Sequence, residues 1–288
     1  MTYSVCVMGL GVVGLPTARY FQERGCKLMG YDTSAKAVAN ARNWIEATDE
    51  PRQIPSDTDV FVICVSTKLA GDKPDASNVY DACRIISGCS PKLVSIESTV
   101  PIGTCRDLHR TVLDEQVSLV HVPHRYWPED PGNHGVRQLR VAGAVDNESM
   151  IQAYDFYRRL GIPLVRVEPI EIAEMAKIVE NAYRYVQIAF AEELSRICSR
   201  IRIDFNLLRH ACNSKWNIDI PEARNGIGGT CLPKDIRYLI AAGAERGFEA
   251  DLLLSAIRAD KGYAGSLQAF PYHATKPTRS KRIESLLT

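Results

Sequence analysis

The stretch SVCVMGLGVVGLPTARYFQERG (residues 4–25) decides the fold of this chain. It opens with a short apolar run, passes through GLGVVG, and continues with a helical pattern that Gly25 ends. A strand that leads through GxGxxG into a helix is typical of a dinucleotide-binding βαβ unit. Gly9 allows the tight turn, Gly11 lets the backbone approach a pyrophosphate, and Gly14 permits close packing of helix on strand. The pyrophosphate is expected at the helix N-terminus, beside Val12 and Val13.

The kind of dinucleotide follows from Asp32, which lies 18 residues after Gly14 at the end of a second apolar run. A carboxylate at this spacing accepts hydrogen bonds from the ribose 2′-hydroxyl and repels a 2′-phosphate, which favours NAD over NADP. Ligands of open α/β sheets bind at the carboxyl ends of the strands. We therefore add residues at the carboxyl ends of two further apolar runs to the predicted NAD site: Val65, Ser66, Thr67, Ser98 and Thr99.

Short apolar runs alternate with helical patterns through the first half of the chain. The runs predict strands at 4–10, 27–32, 59–67, 92–98, 117–122, 140–146 and 163–168. The helical patterns lie at 11–25, 34–46, 76–88 and 147–161. Such alternation predicts an α/β fold with a Rossmann-like doubly wound parallel sheet. We assign it to residues 1–168.

The second half has a different, helical character. Residues 170–201 contain no glycine or proline, and their apolar positions recur every three or four residues. Further helices are predicted at 205–213, 235–247 and 250–263. We assign residues 169–263 to an all-helical central and dimerisation domain, with a homodimer formed through the long helix. Residues 264–288 are predicted to be a polar tail with a basic cluster: Lys276, Arg279, Lys281 and Arg282.

Composition excludes several classes of protein. The 288 residues are 45% hydrophobic and 24% charged, with a formal net charge of +1, so neither nucleic acid nor a membrane is an expected partner. The nine cysteines are odd in number and contain no CxxC pair. This pattern favours reduced thiols in a cytoplasmic protein over disulfides or a metal site.

Residues 226–235, GIGGTCLPKD, contain three glycines, a cysteine and a Lys-Asp pair in one predicted loop. Residue types alone leave three interpretations open: a phosphate loop, a packed thiol or a nucleophile. Lys177 or Lys234 could activate Cys231, because nearby cations depress a thiol pKa. Glu174, Lys177 and Asn181 fall on one face of the long helix. The flanking glycines would let a ligand approach the backbone.

Six segments in order resemble the UDP-glucose/GDP-mannose dehydrogenase family, the nucleotide-sugar 6-dehydrogenases. They are GLGVVGLP (9–16), VFVICVST (60–67), ESTVPIGT (97–104), EMAKIVENAYR (174–184), FAEEL (190–194) and GIGGTCLPKD (226–235). The resemblance implies that a primary alcohol of a UDP- or GDP-hexose is oxidised to a uronic acid with two NAD. The aldehyde would be captured as a thiohemiacetal and oxidised to a thioester.

The resemblance also assigns roles by position. It makes Cys231 the nucleophile, Lys177 and Asn181 the oxyanion-stabilising pair, and Asp235 the carboxylate of acid–base steps. Thr99 would hold the hydrolytic water, and Glu174 would lie near the substrate. The predicted substrate-binding set is completed by Arg125, Gly228 and Gly229.

Two departures from the family pattern stand out. The family has Pro-Glu where this chain has Pro123-His124, so His124, or alternatively Glu129, would have to serve as the base for thioester hydrolysis. Family members also continue into a further α/β domain that binds the nucleotide. A shortened chain, a domain supplied by another polypeptide and an unusual substrate all remain open.

Two other functions remain open from the sequence. One is a two-electron dehydrogenase of the hydroxyacid type, in which Lys177 and Asn181 act and Cys231 is a bystander. The other is a non-catalytic NAD-binding dimer.

Overall fold

The computed structural model describes residues 2–269. The chain divides into two compact units, each built from two segments. The first unit comprises Met1–Ala182 and Lys234–Glu249, and the second comprises Tyr183–Pro233 and Ala250–Thr288. The chain passes from one unit to the other inside two helices, after Ala182 and after Pro233. The sequence predicted a domain boundary between residues 168 and 169, and that boundary stays a prediction.

An eight-stranded sheet forms the centre of the first unit, with the strand order β10-β9-β8-β7-β4-β1-β2-β3. Its strands are β1 (Ser4–Met8), β2 (Lys27–Tyr31), β3 (Ala47–Thr48), β4 (Val60–Ile63), β7 (Leu93–Ile96), β8 (Leu119–His121), β9 (Arg140–Ala144) and β10 (Leu164–Arg166). A separate antiparallel hairpin pairs β5 (Lys68–Ala70) with β6 (Lys73–Asp75). The predicted sheet is confirmed, and the sequence missed the hairpin and the two-residue β3.

One pairing within the eight strands departs from the predicted parallel arrangement. β8 and β9 are antiparallel, with Val120 opposite Ala144, whereas the other neighbours run parallel. Residues 122–139 join these two strands without a helix. A parallel return needs a crossover, usually helical, so the chain reverses and β9 pairs antiparallel. The sheet is therefore parallel, as predicted, at every pairing except this one.

Five helices accompany the sheet: α1 (Gly14–Glu23), α2 (Ala35–Ala41), α3 (Ser77–Ile86), α4 (Thr104–Thr111) and α5 (Asn147–Arg159). Both faces of the sheet are buried. Val5 and Val7 belong to one apolar cluster, while Cys6 and Met8 belong to the other. Burial on both faces explains why the strands are continuous apolar runs. The carboxyl ends of β1, β4 and β7 thereby carry the segments predicted to bind NAD.

Four further helices complete the described chain: α6 (Ile170–Ile201), α7 (Phe205–Asn213), α8 (Cys231–Ala244) and α9 (Asp251–Ala269). The bounds of α6 and α7 are those predicted. Helix α8 starts at Cys231, earlier than predicted, because Pro233 is tolerated within a first helical turn. Helix α9 runs past its predicted end at Tyr263, and the predicted basic cluster lies outside the described residues. Among residues 2–269, no helix is long and apolar enough to cross a membrane.

Candidate active site

The glycine turn between β1 and α1 has the geometry that dinucleotide binding requires. Gly9 has a φ of +93°, a conformation that favours glycine. A Cβ at Gly14 would lie 1.7 Å from the carbonyl oxygen of Gly9, whereas a Cβ at Gly11 would meet nothing within 4 Å. No side chain caps α1, and Val12 is 68% exposed. The turn thus has open space at Gly11 and an uncapped helix N-terminus, which fit a pyrophosphate.

Asp32 lies beside this turn at the end of β2. Its Oδ2 accepts a hydrogen bond from the Leu10 amide at 2.7 Å, and its Oδ1 accepts one from the Ser34 amide at 2.8 Å. Each carboxylate oxygen retains a second acceptor site. The backbone therefore orients Asp32 and leaves it able to receive ribose hydroxyls.

Hydroxyl groups join the loops that follow β4 and β7. Ser98 donates to the carbonyl of Val65 at 2.6 Å, and Thr67 donates to the carbonyl of Thr99 at 2.7 Å. Asn78 donates to the carbonyl of Ser66 at 2.9 Å. The structure therefore brings together the two loops that carry the predicted NAD-binding residues Val65, Ser66, Thr67, Ser98 and Thr99. The hydroxyls of Ser98 and Thr67 fix the two loops against each other.

Asp235 connects the long helix to α8 within the first unit. Its side chain is 1% exposed and accepts a 2.5 Å hydrogen bond from the Asn181 amide, while Lys234 forms an ion pair with it. The Lys234 ammonium also lies 4.2 Å from the ring centroid of Tyr238. Lys234 is thus engaged by Asp235 and Tyr238. Activation of Cys231 by Lys177 or by Lys234 stays a prediction.

Cys231 belongs to the second unit and is the first residue of α8. All nine cysteines lie in the described residues, and Cys231 alone among them is exposed. The glycines before it are open: a Cβ at Gly228 or Gly229 would meet nothing within 4 Å. The thiol is therefore accessible to a ligand, and the packed-thiol interpretation does not fit.

Glu174 has a different environment from the substrate contact that the family resemblance implied. It is 0% exposed, and it accepts hydrogen bonds from the amides of Gly103 at 2.5 Å and Cys105 at 2.8 Å. These amides lie at the N-terminus of α4, where backbone donors lack helical partners. Glu174 therefore caps α4 from the long helix, and its contact with substrate stays a prediction.

Comparisons with known proteins agree with this geometry. Residues 38–161 match the NAD binding domain of the UDP-glucose/GDP-mannose dehydrogenase family, and residues 171–261 match its central domain. The chain belongs to this family. A UDP-N-acetyl-D-mannosamine dehydrogenase from Pyrococcus horikoshii is 30% identical over 273 residues, covering 85% of this chain and 65% of that protein.

Other members of the family are similar over the same region. An NDP-N-acetyl-D-galactosaminuronic acid dehydrogenase from Ralstonia nicotianae is 28% identical, covering 84% of this chain and 65% of that protein. A solved structure of the UDP-D-ManNAc dehydrogenase from Pyrococcus horikoshii superposes with a TM-score of 0.84 at 27% identity, covering 93% of this chain and 71% of that one. The chain thus spans less than two thirds of the length of these two curated relatives.

Sequence reasoning missed one feature of this family member, a buried charged cluster around Glu97. Tyr157 donates to Glu97 Oε1 at 2.5 Å, and Arg140 donates to Oε2 at 2.9 Å. The His124 ring also contacts this carboxylate, and its Nε2 lies 3.0 Å from the hydroxyl of Thr17 on α1. A glutamate directly after the apolar run KLVSI was the available signal. Burial alone would raise the pKa of Glu97, but Arg140 and His124 hold it at about 2.

The cluster changes the interpretation of His124. The side chain is buried, and burial followed by the charge of Arg140 lowers the pKa of the imidazole from its ordinary value. The ring links α1 to the end of β7 through its contacts with Thr17 and Glu97. Glu129 is exposed in the same loop. The choice of His124 or Glu129 as hydrolytic base stays a prediction, and the buried position of His124 weighs against it.

The same cluster contains three groups that could ligate a metal. Atoms of Cys64, Glu97 and His124 lie within 4.8 Å of one another. The Arg140 guanidinium already pairs with Glu97 and neutralises the carboxylate that a cation would need. The cluster is balanced in charge without a metal ion.

Arg125, predicted to bind substrate, is held by protein groups. Its Nη2 and Nε pair with the carboxylate of Glu180 on α6, and its Nη1 donates to the carbonyl of Leu139 at 3.0 Å. Arg125 would have to exchange these partners to bind a ligand. Its place in the substrate site stays a prediction.

Proposed function

We propose that this family member oxidises the primary alcohol of a nucleotide-activated sugar to a carboxylic acid, with two NAD reduced per sugar. One observation carries the proposal. An exposed cysteine begins α8, and one turn further along the same helix Asp235 is hydrogen-bonded to Asn181. A nucleophile and a buried acid–base group on one helix suit covalent catalysis. The matches to the NAD binding and central domains of the family support it.

NAD, when bound, accepts the hydride that leaves the sugar carbon in each of the two oxidations. The residues present fit the cofactor, since Gly11 leaves room for the pyrophosphate and Asp32 has free acceptor sites for the ribose. The uncapped N-terminus of α1 supplies amide donors for the phosphates. The carboxylate of Asp32 disfavours a 2′-phosphate at the same place.

The protein groups supply the remaining chemistry. The Cys231 sulfur adds to the aldehyde carbon, and the carbonyl oxygen takes up a proton to give a thiohemiacetal. Loss of a hydride and a proton leaves a thioester, which water hydrolyses to the acid and the free thiol. Cation and amide donors stabilise an oxyanion, and we assign this role to Lys177 and Asn181. Asp235 accepts and returns the protons, and Thr99 positions the water.

The names of the relatives indicate the sugar. One acts on UDP-N-acetyl-D-mannosamine, and another is named for an NDP-N-acetyl-D-galactosaminuronic acid. We therefore propose a UDP-N-acetylhexosamine as the first substrate to test. UDP- and GDP-hexoses without the acetamido group are the comparison set.

The stoichiometry of NADH formation tests the proposed reaction. Purified protein, first shown to bind NAD, is incubated with each sugar nucleotide, and NADH formed per sugar consumed is counted. We expect two. A value of one would favour the two-electron hydroxyacid-type reaction. No turnover with any sugar would favour a non-catalytic NAD-binding protein.

The variant Cys231→Ser tests the covalent step separately. Its hydroxyl is a far weaker nucleophile, so acid formation should cease and at most one NADH per sugar should form. Cys212→Ser is the matched control, because Cys212 is half-buried in α7 and has no proposed role. If Cys231→Ser still made the acid, the covalent mechanism would be wrong.

We further propose that the protein forms a homodimer through α6. Seven exposed apolar residues support this, and their spacing places them on one stripe of the helix: Ile172, Met175, Val179, Tyr183, Phe190, Ile197 and Ile201. An apolar stripe of this length favours association. Tyr183→Asp with Phe190→Asp should convert a dimer to a monomer in sedimentation velocity. A wild-type monomer would contradict the proposal.

A cytoplasmic location is proposed as well. All nine cysteines are free, which suits a reducing compartment. Fractionation of the source cells would test it.

A further inference from the structure

The hairpin of β5 and β6 follows the predicted NAD-binding loop, residues 65–67, without a break. Lys68 is the first residue of β5 and comes directly after Thr67, whose hydroxyl donates to the carbonyl of Thr99 at 2.7 Å. The two strands have three residues each and form a separate two-stranded sheet. A hairpin of this kind is only marginally stable in water, so its conformation depends on what it packs against.

Tyr238 on α8 holds the base of this hairpin. Its hydroxyl donates to the carbonyl of Lys68 at 2.8 Å, and the carbonyl of Asp75 lies 3.3 Å from the same oxygen. Lys68 and Asp75 are opposite each other in the hairpin, so one hydroxyl bridges both strands. Tyr238 is 1% exposed, although most residues of the hairpin are exposed. The hydroxyl therefore anchors an exposed hairpin to a buried side chain.

The ring of Tyr238 contacts the ion pair of the proposed acid–base group. Lys234 lies one helical turn earlier on α8, and its ammonium is 4.2 Å from the ring centroid. A cation is attracted to the face of an aromatic ring. The same ammonium pairs with Asp235, which also accepts the 2.5 Å hydrogen bond from Asn181. Tyr238 thus contacts the hairpin through its hydroxyl and Lys234 through its ring, all within the first unit.

The ion pair between α8 and the hairpin is exposed. Arg237 Nε lies 3.4 Å from the carboxylate of Asp72 at the hairpin turn, but the Asp72 side chain is 94% exposed. Exposed ion pairs contribute little to stability. The connection between the hairpin and α8 therefore depends mainly on Tyr238.

We infer that Tyr238 is a positioning residue that couples NAD binding to the helix carrying Asp235. NAD bound at residues 65–67 restrains the loop that leads into the hairpin. The Tyr238 hydroxyl extends this restraint to α8, and its ring extends it to Lys234 and Asp235. Because coupling between two sites is reciprocal, a firmly held α8 also favours the NAD-bound loop.

The consequence for catalysis rests on the proposed function, in which Asp235 moves protons while NAD accepts hydrides. Both groups must act on the same alcohol, so their mutual position matters. A misplacement of about 1 Å can cost about 10²-fold in rate. Loss of the Tyr238 hydroxyl lets the hairpin and α8 move independently, so it should lower kcat more than it weakens binding.

Hydrogen–deuterium exchange with and without saturating NAD tests the coupling. In the wild type, NAD should slow exchange at least about threefold in peptides covering residues 65–75 and 236–244. Tyr238→Phe keeps the ring beside Lys234 and removes only the hydroxyl. In this variant NAD should still slow exchange in the loop, while exchange at residues 236–244 should change by less than about 1.5-fold.

Two control variants separate this effect from the loss of any hydrogen bond or hairpin contact. Tyr20→Phe removes a tyrosine hydroxyl that donates to the carbonyl of Leu160 at 2.7 Å in the same unit. Asp72→Asn removes the exposed ion pair at the hairpin turn. Both should keep the wild-type response to NAD. The inference is overturned if NAD does not slow exchange at residues 236–244 in the wild type, a comparison that needs no variant. It is also overturned if Tyr238→Phe keeps the full response.

Steady-state kinetics give a second readout. Tyr238→Phe should lower kcat at least about tenfold, while the Kd for NAD and the KM for the sugar nucleotide change by no more than about threefold. A residue that served the fold alone would not produce this split between kcat and KM.

Exchange with NAD needs no turnover of sugar, so failure of the coupling and failure of the proposed function are distinguishable. An inactive protein with the expected exchange pattern would overturn the proposed function alone. An active enzyme whose α8 does not respond to NAD would overturn the role of Tyr238 alone.

Discussion

Asn181 and Asp235 are joined by a 2.5 Å hydrogen bond between two helices of the first unit. The amide is the donor, so the carboxylate of Asp235 receives it together with the ammonium of Lys234. Two donors on a carboxylate that is 1% exposed fix its position closely. Asp235, to which we assign the proton transfers, in turn orients the Asn181 amide.

Asp235→Asn tests this relationship. The variant keeps the shape of the side chain but cannot act as a base, and its amide no longer neutralises Lys234. We expect kcat to fall by about 10²–10⁴, the usual contribution of general acid–base catalysis, with NAD binding unchanged. Steady-state NADH formation and a fluorescence titration with NAD measure the two effects.

The control for Asp235→Asn is Asp81→Asn. Asp81 is exposed and pairs with Arg84 on the surface of α3, so this variant should resemble the wild type in both assays. Full activity of Asp235→Asn would remove Asp235 from the acid–base role.

The glycine turn gives a prediction with two contrasting variants. Gly11→Ala places a methyl group in open space, so the fold should persist while the affinity for NAD falls at least about tenfold. Gly14→Ala places a methyl group 1.7 Å from the carbonyl oxygen of Gly9, so the turn itself must shift and the melting temperature should fall. Calorimetric titration with NAD and thermal melts measure the pair. Undiminished NAD affinity in Gly11→Ala would contradict the site.

The features that sequence predicted well are those determined locally. Helix α6 coincides with residues 170–201 because no glycine or proline interrupts the periodic pattern there. The NAD turn follows from three glycines whose roles are set by backbone geometry. Both signals lie within a few turns of the chain, so neither depends on distant partners.

The features that sequence missed depend on residues far apart. The N-terminus of α4 is completed by Glu174 from the long helix, and Glu97 is neutralised by Arg140, 43 positions away. Neither partner is signalled by its own neighbours in the chain. The antiparallel β9 has the same origin, because its direction is set by the connection from β8.

Glu174→Gln distinguishes two roles of Glu174: the cap of α4 and the substrate contact that the resemblance implied. The amide keeps one oxygen acceptor, and its NH₂ group faces a backbone donor, so the cap of α4 should weaken by about 1–2 kcal/mol. The melting temperature should fall, while KM for the sugar nucleotide should not change. A raised KM with an unchanged melting temperature would support the substrate-binding role. Glu171→Gln on the same helix turn is the control, since Glu171 pairs with the half-exposed Arg106.

The buried ion pair of Glu97 and Arg140 predicts how stability depends on pH. The pKa of Glu97 is about 2 in the folded chain and 4.5 ordinarily, so the unfolded chain takes up the proton first on acidification. The stabilisation, roughly 3 kcal/mol, is present above about pH 4.5 and is lost as pH falls towards 2. Glu97→Gln should abolish this dependence and should lower stability at pH 7 by about 3–5 kcal/mol, because Arg140 is left buried without its charge partner. Urea unfolding at pH 7, 4 and 3 measures both effects, with the exposed Glu129→Gln as control. Equal acid sensitivity in Glu97→Gln and the wild type would show that other carboxylates govern acid unfolding.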